Sequence, residues 1–134
     1  SERSAGWTYA TGDAQAFFGA PSRMVRTGTG EESLTWLAPR LSSYSVTLFV
    51  KHPGDLGLVE LWVATGANEW RPLSPAVTSE GPSAGGWTKV VLEGSVNERD
   101  VTLFRIVVRE GGSPDSPQLG PVILQGRGSR AAAP

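Results

Sequence analysis

The stretch SSYSVTLFVK, residues 42–51, decides the fold class. Tyr44, Val46, Leu48 and Val50 fall on one side of it, and Ser45, Thr47, Phe49 and Lys51 fall on the other. That is the two-residue period of a strand with one buried face, not the 3.6-residue period of a helix. The same alternation recurs in both directions along the chain. In GLVELWVATGANEWRPL, residues 57–73, Val59, Leu61 and Val63 oppose Leu58, Glu60, Trp62 and Ala64. In GWTKVVLEG, residues 86–94, Val90 and Leu92 oppose Trp87, Lys89, Val91 and Glu93. In VTLFRIVVRE, residues 101–110, Phe104, Ile106 and Val108 oppose Leu103, Arg105, Val107 and Arg109. Each inward Val, Leu or Phe contributes about 1.5–3 kcal/mol on burial before chain entropy is subtracted, so the apolar faces set the register.

Strands are predicted near 6–10, 22–27, 32–38, 42–51, 57–65, 69–78, 87–94, 101–110 and 117–125. Between them lie the turn-like stretches TGTGEE, KHPGDLG, TGANE, SEGPSAGG, GSVNERD and EGGSPDSP. No window shows helical apolar spacing, and 17 Gly with 10 Pro interrupt the chain at short intervals. Many short strands without crossover helices predict an all-β fold, an antiparallel sandwich of jelly-roll type with eight or nine strands. One domain is expected over residues 1–126, with 127–134 as a linker or tail; both ends read as edges of a piece from a longer protein.

The 134 residues suffice for one core without staples, and Cys is absent. A net charge of -1 gives no electrostatic case for nucleic acid, and no apolar run approaches membrane-spanning length. Ten of the twelve basic residues are Arg, which with the many Ala, Gly and Pro points to a GC-rich bacterial genome.

The chemistry on offer is narrow. His52 is the single His, placed in a turn beside Pro53, and cannot supply a transition-metal ligand set. HExxH does not occur, and TGTGEE lacks the Lys of a phosphate loop. Glu60, Glu93 and Glu110 are the strand carboxylates, but a glycosidase pair cannot be placed from sequence spacing alone. Asp13, Glu31, Glu32 and Asp115 could ligate calcium through oxygen, without any loop motif of fixed spacing. No cofactor is required by any motif.

What remains is a sheet face bearing aromatics and charged groups. Sugar rings offer flat C–H faces that stack on Trp, and hydroxyls that pair with Arg, Lys and Glu. Trp62, Phe49, Glu60, Lys89, Arg105 and Arg109 are therefore the expected ligand-binding residues. The competing expectation buries Trp62 under a neighbouring segment, with the Arg stems as cover. Trp36 keeps step with Leu34 and is expected in the core; Trp7 is undecided. Trp70 and Trp87 each begin a strand after a turn and are expected to plug the sandwich ends, or else to form an alternative loop-edge site.

FFGAPSRMVRTGTGEESLTWLAP, SVTLFV, VELWVATGANEWRPL, GWTKVVLEG, VTLFRIVV and QLGPVIL, in that order, resemble the galactose-binding-like (discoidin-like) β-sandwich modules. These are carbohydrate-binding modules appended to bacterial glycoside hydrolases and polysaccharide lyases. The resemblance covers about Phe17 to Leu124 and implies a secreted, extracellular, monomeric, non-catalytic module. It would bind polysaccharide or oligosaccharide and target a linked catalytic domain to it. It also implies structural roles for Trp70 and Trp87, and a binding site on the concave sheet face or in loops at one edge. Relatives hold a structural calcium near the first strands, whereas FFGAPSR carries no acidic cluster. Two other expectations stand beside this one: a structural or protein-interaction sandwich packed on a catalytic domain, and a small glycan-active enzyme.

Overall fold

The computed structural model describes residues 2–127. Eleven strands follow in order: β1 Glu2–Arg3, β2 Trp7–Thr11, β3 Ser22–Arg26, β4 Glu32–Leu37, β5 Leu41–Val50, β6 Val59–Thr65, β7 Trp70–Pro72, β8 Ala76–Glu80, β9 Thr88–Ser95, β10 Val101–Val108 and β11 Gln118–Gly126. They form two antiparallel sheets, one ordered β1-β4-β10-β6-β7 and the other β2-β3-β11-β5-β9-β8. The fold is an all-β sandwich of jelly-roll type, in which the chain passes repeatedly from one sheet to the other. Two short 3-10 turns, Ala14–Phe17 and Pro53–Leu58, are the helical elements among the described residues.

The nine predicted strands are all present, with two differences. β1 is a two-residue edge strand, too short to carry any period. The run read as one strand over 69–78 is two, β7 and β8, and they belong to opposite sheets. Pro72 and Pro75 lie where the chain crosses, and neither has an N–H for a sheet ladder. Arg127 lies within the described residues: its N–H donates to the Arg40 carbonyl at 2.7 Å, and its guanidinium to the carbonyls of Leu41, Val96 and Glu98. The rest of the expected tail, 128–134, lies outside the described residues.

The inward faces predicted from parity meet in one core between the sheets. Leu34, Leu61, Val63, Phe104, Ile106 and Val108 face Tyr44, Val46, Leu48, Val50, Val90 and Leu92. Tyr44 and Phe104 span the layers at a ring separation of 5.6 Å. Trp36 packs on this core as expected, with its ring 6.0 Å from that of Phe104. Trp7 joins the core too, and its indole N–H reaches the Ser33 carbonyl at 3.1 Å.

Arg26 is the most deeply buried of the charged side chains among the described residues. The Arg26 guanidinium, on β3, donates to the carbonyls of Gly30 at 2.9 Å, Arg109 at 3.1 Å, Gly111 at 2.7 Å and Ser113 at 3.4 Å. Burial pushes its pKa down, with Asp55 and Glu32 opposing the shift. The bonds tie the loop before β4 to the loop after β10, and so fix the end of the sheet where Glu31 and Arg109 stand.

Candidate functional site

Four of the six expected ligand-binding residues gather on the outer face of the five-stranded sheet. β10 runs between β4 and β6, so Arg105 stands directly opposite Thr35 on one side and Trp62 on the other. One row along, Val107 is opposite Glu60. The half-buried Trp62 is held in place by its indole N–H, which donates to Glu60 Oε1 at 3.1 Å. Glu60 Oε2 in turn accepts from Arg109 Nη1 at 2.9 Å, and Arg109 Nε lies 3.3 Å from Glu31 Oε1. These exposed ion pairs contribute little stability, about 0–1 kcal/mol each. Their effect is orientation: they fix the rotamer of the carboxylate that fixes the indole.

Trp70 differs from expectation. It does not plug the end of the sandwich but lies on the same outer face as Trp62. The TGANE turn explains this. Asn68 adopts a left-handed conformation at φ 62, and Thr65 N–H donates to the Glu69 carbonyl at 3.1 Å. The hairpin so closed pairs Trp70 with Ala64, which shares the parity of Trp62. The Trp70 ring then packs against Arg105, whose guanidinium carbon sits 4.0 Å from the ring centroid. Arg105 Nε also donates to Thr35 Oγ1 at 2.8 Å. A cleft of about 280 Å³ results, lined by Glu31, Glu60, Trp62, Trp70, Arg105, Val107 and Arg109. A wider hollow of about 540 Å³ lies against the Glu31–Glu60–Arg109 cluster.

Phe49 and Lys89 lie elsewhere. β5 and β9 belong to the six-stranded sheet, so the outward faces of these strands point away from Trp62 on the far side of the sandwich. The expectation of one continuous face is corrected here: parity separates inside from outside but does not say which sheet a strand joins. Phe49 is also covered. It is 1 % exposed, meeting Phe17 edge-on at 5.5 Å and Phe18 at 6.4 Å. Trp87, 6 % exposed, completes this small second core, with its ring 4.6 Å from Phe17. The segment around the Ala14–Phe17 turn folds over the sheet and closes it. Trp87 and Trp70 thus stand on opposite sides of the protein and do not share a loop-edge site.

Lys89, half-buried and paired in register with Phe49, lines a groove of about 550 Å³ over the six-stranded sheet. Tyr9, Phe18, Thr47 and Gly120 contribute to its walls. Phe18 reaches it from a left-handed backbone at φ 55, uncommon for so large a residue. Arg23 lies beneath, its guanidinium 3.7 Å from the Phe17 ring centroid and bonded to Gln118 and to the carbonyls of Gly12 and Ala20. Burial lowers its pKa, with Asp13 acting in the opposite sense.

The acids considered for calcium do not converge. Glu32 accepts from Ser4 and Gly6, Asp115 from Ser113 at 2.8 Å, and Glu31 pairs with Arg109. Among the described residues no cluster of three or more His, Asp or Glu is placed to hold a metal ion. Likewise no described helix is long and apolar enough to cross a membrane. His52 is an exposed turn residue.

No family model, curated protein or solved structure matches this chain. Thr35 and the role of Glu31 escaped the sequence reading. Thr35 lies on a strand whose partner is about 70 residues away, so no local signal marks it. Trp70 was within reach, because a five-residue loop over 65–69 pairs Ala64 with Trp70 and sets its face.

Proposed function

We propose that this protein is a non-catalytic carbohydrate-binding module, with the outer face of the five-stranded sheet as its binding surface. The observation that carries the reading is the Trp62 ring, fixed by Glu60 and set directly opposite Arg105 beside an open cleft. A fixed indole provides stacking area at little entropic cost, and Arg105, Arg109 and Glu60 supply donors and acceptors for hydroxyls. Monomeric, secreted and joined to a polysaccharide-degrading enzyme, the module would concentrate that enzyme on its substrate.

Affinity electrophoresis and calorimetry against xylan, mannan, β-glucan and pectin test this. Trp62→Ala should weaken binding at least about tenfold, or about 1.4 kcal/mol, as expected for a central Trp anchor. Unchanged affinity for Trp62→Ala with a loss for Lys89→Ala would move the site to the opposite groove. Retention of none of the polysaccharides would remove the reading.

One observation favours a second reading, a sandwich that docks on a neighbouring domain. Leu37, 75 % exposed, and its partner Leu103 continue the row of Ala64 and Trp70 as an apolar strip on this face. Co-purification with a linked catalytic domain, without retention of polysaccharide, would support it. Turnover of any of the same polysaccharides would instead identify a small glycan-active enzyme.

A further inference from the structure

The two arginines on the candidate face are in different chemical states. Arg109 is flanked by Glu31 and Glu60, and both ion pairs found on the described residues belong to it. Arg105 has no carboxylate within ion-pair distance among the described residues. Its guanidinium is nevertheless held: Nε donates to Thr35 Oγ1 at 2.8 Å, and the group lies 4.0 Å from the Trp70 ring centroid. Neither contact is a hydrogen bond from Nη1 or Nη2. These atoms donate no hydrogen bond to any described residue, and among the described residues the only buried side-chain polar atom lacking a partner is Arg26 Nε. Nη1 and Nη2 are therefore not sealed from solvent, and Arg105 lines the cleft beside Trp62.

We infer that the cleft selects glycans bearing a uronic acid, with the Arg105 Nη1–Nη2 edge taking the sugar carboxylate while the pyranose ring stacks on Trp62. This rests on the carbohydrate-binding reading and narrows it to a substrate class. A guanidinium immobilised by a hydroxyl and an aromatic face loses little entropy on pairing, and its planar fork matches a carboxylate with two parallel hydrogen bonds. Side chains directly opposite on neighbouring strands have Cβ atoms about 4.5–5.5 Å apart, close to the width of one pyranose ring. A sugar seated on Trp62 thus brings one ring substituent over Arg105. The other end of the cleft fixes the direction. Glu31, Glu60 and Arg109 form a cluster with one excess negative charge, and both Glu60 oxygens are engaged, by Trp62 and Arg109. That end repels a carboxylate and accepts neutral hydroxyls, so an acidic sugar is oriented with its charge toward Arg105.

Calorimetry on the whole chain at neutral pH tests this with polygalacturonate, alginate and glucuronoxylan, each against its methyl-esterified form. The ester keeps the ring and removes only the charge. At least one acid form should bind tenfold or more tightly than its ester. Arg105→Gln should reduce that ratio to within about twofold, and Arg105→Lys should restore it only in part. Thr35→Val removes the hydroxyl that anchors Nε while keeping the shape, so it should lower the ratio severalfold even if Arg105→Gln does not fold. Equal binding of acid and ester, or a ratio unchanged in both Arg105→Gln and Thr35→Val, overturns the uronate inference and leaves carbohydrate binding standing. Absence of binding to these polymers and to their neutral counterparts overturns both.

Discussion

Replacing Arg26 by Met should destabilise the sandwich and loosen the candidate site together. Arg26 is 1 % exposed, and its guanidinium supplies three bonds of ordinary length, to the carbonyls of Gly30, Arg109 and Gly111 at 2.9, 3.1 and 2.7 Å. A bond to a charged group contributes about 1.5 kcal/mol at the low end of its range, so their loss costs about 4–5 kcal/mol gross. Met also removes the buried, unpaired Nε, which returns about 1–2 kcal/mol and leaves a net loss of about 3 kcal/mol. With a urea slope of about 1.5–2 kcal/mol/M for a chain of this size, the midpoint should fall by about 1.5–2 M. Arg26→Lys keeps the charge, but a single ammonium cannot span carbonyls arranged for a planar fork, so its midpoint should lie between the two. Equilibrium urea unfolding followed by Trp fluorescence measures all three proteins. A midpoint for Arg26→Met within about 0.5 M of the parent would refute the reasoning, because the carbonyl clamp would then contribute almost nothing.

Two further outcomes follow from the core. Phe49→Ala should cost about 3–5 kcal/mol in urea unfolding while leaving glycan affinity within twofold, since its ring is enclosed by Phe17, Phe18 and Trp87 on the side away from Trp62; a large affinity loss with little destabilisation would return Phe49 to the binding surface. Burial raises the Tyr44 pKa above its ordinary value near 10, so the unfolded chain ionises first. Stability is then fully present below about pH 10 and falls as pH rises toward the raised folded value. Tyr44→Phe should flatten that decline in urea midpoints taken between about pH 8 and 11, and an unaltered slope would contradict a buried phenol at this position.

Local pattern decided a great deal of this protein. A period of two is a property of the strand backbone, so Tyr44, Val46, Leu48, Phe104 and Ile106 could be assigned to the core without knowing any partner strand. The same parity put Glu60 and Trp62, and Arg105 and Arg109, on outward faces. Hydrophobic burial fixes that inside-outside choice one strand at a time. Which outward faces lie together is a different question, and it depends on strand order. Arg105 and Trp62 became neighbours because β10 pairs with β6, while Phe49 and Lys89 went to the far side because β5 and β9 joined the other sheet. Trp87 was sealed by a segment about 70 residues earlier in the chain. Such contacts join residues whose local sequences carry no trace of each other, so only the closed fold decides them.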